Sequence, residues 1–231
     1  MRKKWSGLRN KMSLETTLDL EKVNKELGII GASERIIWAH ETFRSGLVSG
    51  TSGGETSAVL PHLVMEAFEG KGIPKEDMPT TIFVDIKYYT RETYEMVSKI
   101  KEMGLNVVTY KTHITREDIE RKYPGWQNPK SKHFEQIVEI IKLEPFRRAL
   151  RELKAAALMS GIMRWETAER LKAPFIEEKD GIHRIYPICD WSREQITQYL
   201  RQNSLPINPN HYDPTKGPDQ RGECGIHSKC S

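Results

Sequence analysis

The chain is poor in cysteine, with Cys189, Cys224 and Cys230 its only three in 231 residues. An odd, sparse and unevenly spaced set is no disulfide framework, so free thiols in a reducing compartment are the expectation. Long apolar runs are missing as well. None approaches the roughly 18 residues that a membrane-spanning helix needs. The N-terminal Met-Arg-Lys-Lys-Trp start is basic but runs into polar residues where a secretory leader would be apolar, so a cytoplasmic protein is expected. Internal repeats and low-complexity tracts are lacking, which sets aside solenoids and propellers. Charge of one sign is scarce too: 36 basic against 32 acidic residues leave +4, too little and too scattered for duplex nucleic acid, though compatible with a small anion. What remains, 37% hydrophobic and 29% charged residues, is the composition of an ordinary globular domain.

Within that composition, strand and helix patterns alternate. Ser33 can cap a helix carrying Ile36, Ile37, Ala39, His40 and Phe43, and Gly46 to Ser49 reads as a short buried strand. Val59, Leu60, Leu63, Val64, Ala67 and Phe68 recur at helical spacing, with Pro61 an awkward member because it lacks a backbone donor. Thr81 to Asp85 and Leu105 to Tyr110 read as strands, separated by a helix that stops at Gly104. Residues 112 to 131 are expected to wander outside the core, with helices resuming near 132 to 142 and 145 to 154. Strands follow at 156 to 160 and 182 to 188, and Ser192 caps a last helix. The pattern predicts an α/β fold: a single domain, residues 28–203, with a mostly parallel sheet flanked by helices. A polar N-terminal arm (1–27) precedes it. An irregular, flexible C-terminal tail (204–231), rich in Pro, Gly and Asn, follows and carries the reactive cysteine.

Ligands of such sheets bind at the carboxyl ends of the strands, and the chemistry-bearing residues concentrate there. Ser49-Gly50-Thr51-Ser52-Gly53-Gly54-Glu55-Thr56-Ser57 lies between a strand and a helix. Glycines let several amides converge, hydroxyls add donors, and the helix start adds positive potential, which together suit a phosphate. A plain flexible turn is the alternative. No Gly-Lys-Ser/Thr follows, so it is not a Walker loop. It resembles the pyrophosphate loop of the adenine nucleotide alpha hydrolase-like families, with Ser49, Thr51, Ser52, Gly53, Gly54, Thr56 and Ser57 as candidate contacts. Asp85, at a strand end, could accept from a ribose hydroxyl or adenine amine, or could be a capping or solvated acid. Lys142, Arg147 and Arg148 on one side, and Arg164 and Arg170 after the 156–160 strand, are candidate anion clamps; any one could equally be a solvated helix residue. Arg164 is the strongest of them.

Near the C-terminus, Arg221-Gly222-Glu223-Cys224-Gly225-Ile226-His227 sets a cysteine between flanking residues that leave it accessible, with Arg221 and Lys229 available to lower its pKa. Cys224 is thus a candidate nucleophile. A zinc site built from Cys224, His227 and Cys230 competes with this reading, with Cys189 or His211 as a conceivable fourth ligand. No bound metal is expected.

In this order the elements resemble the phosphoadenosine phosphosulfate reductase family. The resemblance spans about 31 to 227. It is carried by Ala32 to Ala39, the 49 to 57 loop, Asp85 with Tyr88 and Glu92-Thr93-Tyr94, and Glu144-Pro145 with Arg148-Ala149-Leu150. Gly161 with Arg164 and Arg170, Pro187-Ile188-Cys189-Asp190-Trp191, and above all Glu223-Cys224-Gly225-Ile226-His227 complete it. The resemblance implies that Cys224 attacks the sulfur of a sulfonucleotide, with His227 beside the thiolate. The resulting S-sulfonated enzyme is then cleaved by thioredoxin or glutaredoxin to release sulfite. The loop, Asp85, Lys142, Arg164 and Arg170 would hold the substrate. Related adenylylsulfate reductases carry a Cys-Cys and a Cys-x-x-Cys pair for an iron–sulfur cluster, and this chain has neither, so no cluster is expected and the 3'-phosphorylated substrate is favoured. Met163 stands where the family shows the first of two arginines, Ile86-Lys87 replaces a Thr-Gly, and the 204–222 stretch is short. Cys230 has no usual counterpart and could act as a resolving thiol for Cys224. An adenylylsulfate reductase without a cluster, an ATP pyrophosphatase-type adenylating enzyme acting in nucleic-acid sulfur modification, and a zinc- or nucleotide-binding module are the rival readings. No membrane partner is expected, nor nucleic acid on the leading reading, and a homodimer is possible.

Overall fold

The computed structural model describes residues 18–216. Two helices open it, α1 (Leu20–Leu27) and α2 (Ala32–Phe43), followed by β1 (Leu47–Thr51), α3 (Val59–Lys71), β2 (Thr80–Asp85), α4 (Arg91–Glu102) and β3 (Val107–Lys111). Then come α5 (Arg116–Lys122), α6 (Phe134–Val138), a π turn (Glu139–Leu143), α7 (Glu144–Glu152), β4 (Ala157–Met159), β5 (Ile176–Lys179), β6 (Ile182–Ile185) and α8 (Arg193–Gln202). The strands form one six-stranded sheet in the order β3-β2-β1-β4-β6-β5, parallel throughout except for β5, which runs antiparallel to β6. This is the expected α/β domain with a mostly parallel sheet between helices.

Alternation along the strands divides the core in two. Leu47 of β1 points to a cluster with Ile36, Val64, Phe68, Met159 and Ile196, while the next residue, Val48, joins Ile82, Val84, Ile119, Ile137 and Phe146 on the opposite face. β2 and β4 are buried along most of their length, whereas Thr109 and Lys111 of the edge strand β3 are exposed.

Several local expectations change. Residues 20 to 27, assigned above to a polar arm, form α1: Val23 and Leu27, one turn apart, are buried, and Asn24 is bonded to the β5 backbone. Asn24 Nδ2 donates to the Ile176 carbonyl at 2.8 Å, and its Oδ1 accepts from the Phe175 and Ile176 amides at 2.8 and 3.1 Å. The cap of α2 is Gly31, not Ser33; Glu34 reaches back to accept from the Gly31 amide at 2.9 Å. Pro61 is the third residue of α3, where a backbone N–H would have no intrahelical acceptor anyway, so it neither bends the helix nor delays its start. The stretch from 112 to 131 contributes α5, and its Ile119 and Trp126 are buried. Ser192 caps α8 as expected, with Gln195 completing a reciprocal capping box.

Arg35 knits α1, α2 and the turn after β6 together. Its Nε donates to the Leu27 carbonyl (2.8 Å) and its Nη1 to the Pro187 carbonyl (2.8 Å), while Nη1 and Nη2 grip both oxygens of Asp190 at 2.7 and 2.9 Å. The guanidinium also stacks 3.9 Å from the centre of the Phe175 ring. Arg35→Met keeps the volume but strands two buried carbonyls and Asp190, and should cost about 3 kcal/mol in urea denaturation. A cost near zero would mean that this hub holds nothing.

Candidate active site

Strand order reverses at β1: the chain moves from β1 to β2 and β3 on one side, then returns to place β4 on the other. A crevice opens at such a reversal above the carboxyl ends of the two diverging strands. The Ser- and Gly-rich loop leaves β1 at this point, and residues 160–164 leave β4 beside it. The loop is drawn in by its own hydroxyls. The Gly53 amide donates to Thr51 Oγ1 and the Gly54 amide to Ser52 Oγ, each at 3.3 Å, and Ser52 Oγ lies 3.3 Å from Ser57 Oγ. Backbone bonds from Ser57 N to Gly54 O and from Val59 N to Thr56 O then wind the loop into α3. Gly53 takes φ +69°, and a Cβ there would meet Thr93 Cγ2 at 2.8 Å and the Thr93 carbonyl at 2.9 Å, so no other residue fits. Ser49 lies deeper, within β1 and opposite Thr81 on β2, with both side chains buried.

The other candidates among the described residues stand on separate elements, each with its own partners. Asp85, at the end of β2, accepts on Oδ1 from the Lys87 amide and from the Tyr94 hydroxyl, each at 2.8 Å. Burial and this bond push the Tyr94 phenol well above its ordinary value, which keeps it a donor. Lys142 sits on the π turn, a distortion frequently found at functional sites. It is buried, and its Nζ donates to Asp213 Oδ2 at 2.5 Å and Thr215 Oγ1 at 2.9 Å. Burial alone would raise the Asp213 carboxyl, but the Lys142 ammonium and the Thr215 hydroxyl outweigh it and hold the pKa down to about 2. Past β4, the Arg164 amide donates to the Cys189 carbonyl, its Nε donates to the Ala173 carbonyl at 2.9 Å, and the guanidinium faces the Phe175 ring. Arg170 is buried against Glu166, whose carboxylate also accepts from the Met163 amide at 2.8 Å. Arg164 and Arg170 therefore brace the 161–175 loop.

Sequence reasoning missed the residues that tie the loop down. Asn208 Nδ2 donates to the Gly53 carbonyl at 2.7 Å and lies 3.2 Å from Thr93 Oγ1; His211 Nδ1 is 3.3 Å from the same hydroxyl, its ring 5.6 Å from that of Tyr89. Asn208, His211, Asp213, Thr215 and Lys216 are all buried, so the segment read as tail is packed across the domain as far as it is described. An Asn-Pro-Asn-His run has no period to betray burial; only the density of side chains able to turn back on the backbone hinted at it.

Cys189 is the one cysteine among the described residues, and it is fully buried. Burial pushes its thiol up to about 11, with the Arg164 and Arg35 guanidiniums only partly offsetting it. At pH 7 roughly one molecule in ten thousand then carries the thiolate. Brief iodoacetamide treatment of the native protein should leave Cys189 unmodified in peptide mass spectra; rapid labelling there would contradict its burial. Among the described residues no three His, Cys, Asp or Glu side chains gather as metal ligands, and no helix is long and apolar enough to cross a membrane. Cys224, His227 and Cys230 lie outside the described residues.

The geometry has counterparts among known proteins. Residues 46–213 match the family model described as the phosphoadenosine phosphosulfate reductase domain. The phosphoadenosine 5'-phosphosulfate reductase of Synechococcus sp. is 34% identical over 192 residues, 82% of this chain and 79% of that protein. That of Photobacterium profundum is 31% identical over 205 residues, 88% of this chain and 78% of the relative. Among solved structures, the phosphate complex of the phosphoadenylyl-sulfate reductase from Candida auris superposes with a TM-score of 0.69 at 24% identity, covering 84% of this chain and 91% of that one, a likeness of fold.

Proposed function

Because the chain belongs to the phosphoadenosine phosphosulfate reductase family, we propose that it reduces phosphoadenosine phosphosulfate to sulfite and adenosine 3',5'-bisphosphate, with Cys224 as the nucleophile. The observation that carries the reading onto this chain is the hydroxyl-rich loop at the sheet's switch point, immobilised by Thr93 and Asn208 and leading into α3. Ser52, Gly53, Gly54, Thr56 and Ser57 offer donors to the phosphosulfate, with Ser49 and Thr51 supporting them from the strand. Asp85, oriented by Tyr94 and the Lys87 amide, takes the nucleoside side. Lys142, Arg164 and Arg170 supply positive charge around the oxyanions.

The chemistry then balances without a bound cofactor. The Cys224 thiolate attacks the sulfonate sulfur, the S–O bond to the phosphate breaks, and the nucleotide leaves with the electron pair. His227 lies beside the thiolate. A thiolate of reduced thioredoxin or glutaredoxin attacks Cys224 Sγ, sulfite departs, and the donor's second thiol resolves the mixed disulfide. Cys230 offers a second route within the chain: it attacks Cys224 Sγ, sulfite departs, and the donor's two thiols then reduce the Cys224–Cys230 disulfide. Assimilation of sulfate in the cytoplasm is the setting this activity fits. Incubation with the sulfonucleotide and reduced thioredoxin should yield sulfite; release of pyrophosphate from ATP, with no sulfite, would favour an adenylating enzyme instead.

A further inference from the structure

Lys142 presents a conflict. The proposed function needs its ammonium for a substrate oxyanion, yet two of its three N–H donors are committed to Asp213 and Thr215. The commitment is built with care: Asp213 Oδ1 accepts from the Thr215 amide (3.0 Å) and hydroxyl (2.5 Å), leaving Oδ2 for Lys142, and all three side chains are buried. From Asn208 to Lys216 the chain forms a strap without helix or strand. Asn208 is on the phosphate loop, the Asn210 carbonyl accepts from Thr90 Oγ1 at the start of α4, His211 is on Thr93 and Tyr89, and Asp213 is on the π turn. The strap thus crosses the rim on which the loop, Asp85 and Lys142 are arrayed. A carboxylate and a substrate oxyanion cannot share one buried ammonium, because two like charges in a dry site repel strongly.

We propose that Asp213 is an internal competitor for the substrate's oxyanion: nucleotide binding at Lys142 displaces the Asp213 carboxylate and releases the 208–216 strap, the segment that leads directly to the Cys224 region. Substrate binding and release of the strap are then one event. Linkage makes the coupling reciprocal, so whatever weakens the strap's hold strengthens nucleotide binding. The inference rests on the assignment of Lys142 to the substrate site.

Two measurements on the full chain test it. Calorimetric titration with adenosine 3',5'-bisphosphate should show Asp213→Asn binding about tenfold more tightly than the wild type, a typical size for such a coupling. Hydrogen exchange of the wild type should show the backbone of 208–216 exchanging faster when that nucleotide is saturating, and this reading stands alone if Asp213→Asn fails to fold. Equal or weaker binding by a folded Asp213→Asn, or slower exchange of the strap with nucleotide bound, overturns the competition while leaving the proposed activity standing. Failure of both proteins to bind the nucleotide overturns both.

Discussion

Cys224→Ser should abolish sulfite formation, by a thousandfold or more, the order seen when a covalent nucleophile is removed, while adenosine 3',5'-bisphosphate binds as before. The asymmetry follows from the separation of the two functions along the chain. On the proposed assignment the nucleotide's partners lie within residues 49 to 170, whereas the thiol comes from beyond residue 216. Serine keeps the size and loses the chemistry, because its hydroxyl is almost wholly protonated at neutral pH and is a far weaker nucleophile towards sulfur than a thiolate. Steady-state sulfite assay and calorimetry on the same preparation separate the effects. Cys189→Ala, by contrast, removes a buried thiol with a pKa near 11 and should leave the rate untouched. If Cys224→Ser kept its rate and Cys189→Ala lost it, the nucleophile would have been assigned to the wrong cysteine.

Gly53→Ala should damage both the site and the fold. At φ +69° an alanine is strained, and its Cβ would press on the Thr93 carbonyl at 2.9 Å, on Thr93 Cγ2 at 2.8 Å and on Val97 Cγ2 at 3.1 Å. The strained backbone alone costs on the order of 1–3 kcal/mol. For a domain of this size that lowers the melting temperature by roughly 3–10 °C. Relief comes only if the loop moves away from α4, which pulls the Gly53 carbonyl off Asn208 and shifts the loop donors; a shift of about 1 Å at a reacting group is worth roughly a hundredfold in kcat/KM. Gly50→Ala is the control, since a Cβ at that position meets Leu158 Cδ1 only at 3.5 Å, an ordinary contact. Equal melting temperatures and activities for the two variants would mean that the loop is not held as described.

How much of this could be read in advance depended on whether a residue's environment leaves a periodic trace. β2 and β4 were legible because both their faces are buried and they appear as short apolar runs, whereas β1 showed through Leu47 and Val48 ahead of its Ser- and Gly-rich turn and the edge strand β3 through its β-branched Val107-Val108-Thr109 after Gly104. The helix α3 was legible from its spacing even with Pro61 inside it. β5 was not: Ile176-Glu177-Glu178-Lys179 is an antiparallel edge strand with one apolar residue, and nothing in four such residues distinguishes it from a loop. α5 hid for the same reason, with only Ile119 buried, whereas α1 went unread among its charged residues although Leu20, Val23 and Leu27 recur at helical spacing. At the candidate site, the Ser- and Gly-rich loop and Asp85 stood out because chemistry and position coincide at a strand end. The strap could not, because Asn208 and Gly53 are 155 residues apart and Asp213 and Lys142 are 71 apart. Buried polar pairs of that kind are fixed by tertiary contact alone. Their consequence reaches function: Lys142, picked out for its charge, proves to be shared with an acid that no pattern singled out.

The central claim is that a thiolate near the C-terminus takes the sulfonate from an activated sulfate, and the intact mass of the protein tests it most directly. After brief incubation with phosphoadenosine phosphosulfate and no reductant, the protein should gain one sulfonate, mapped by peptide mass to Cys224 and removed by dithiothreitol with release of sulfite. An unchanged mass under conditions where the nucleotide demonstrably binds, or a sulfonate mapped to another residue, would contradict the account.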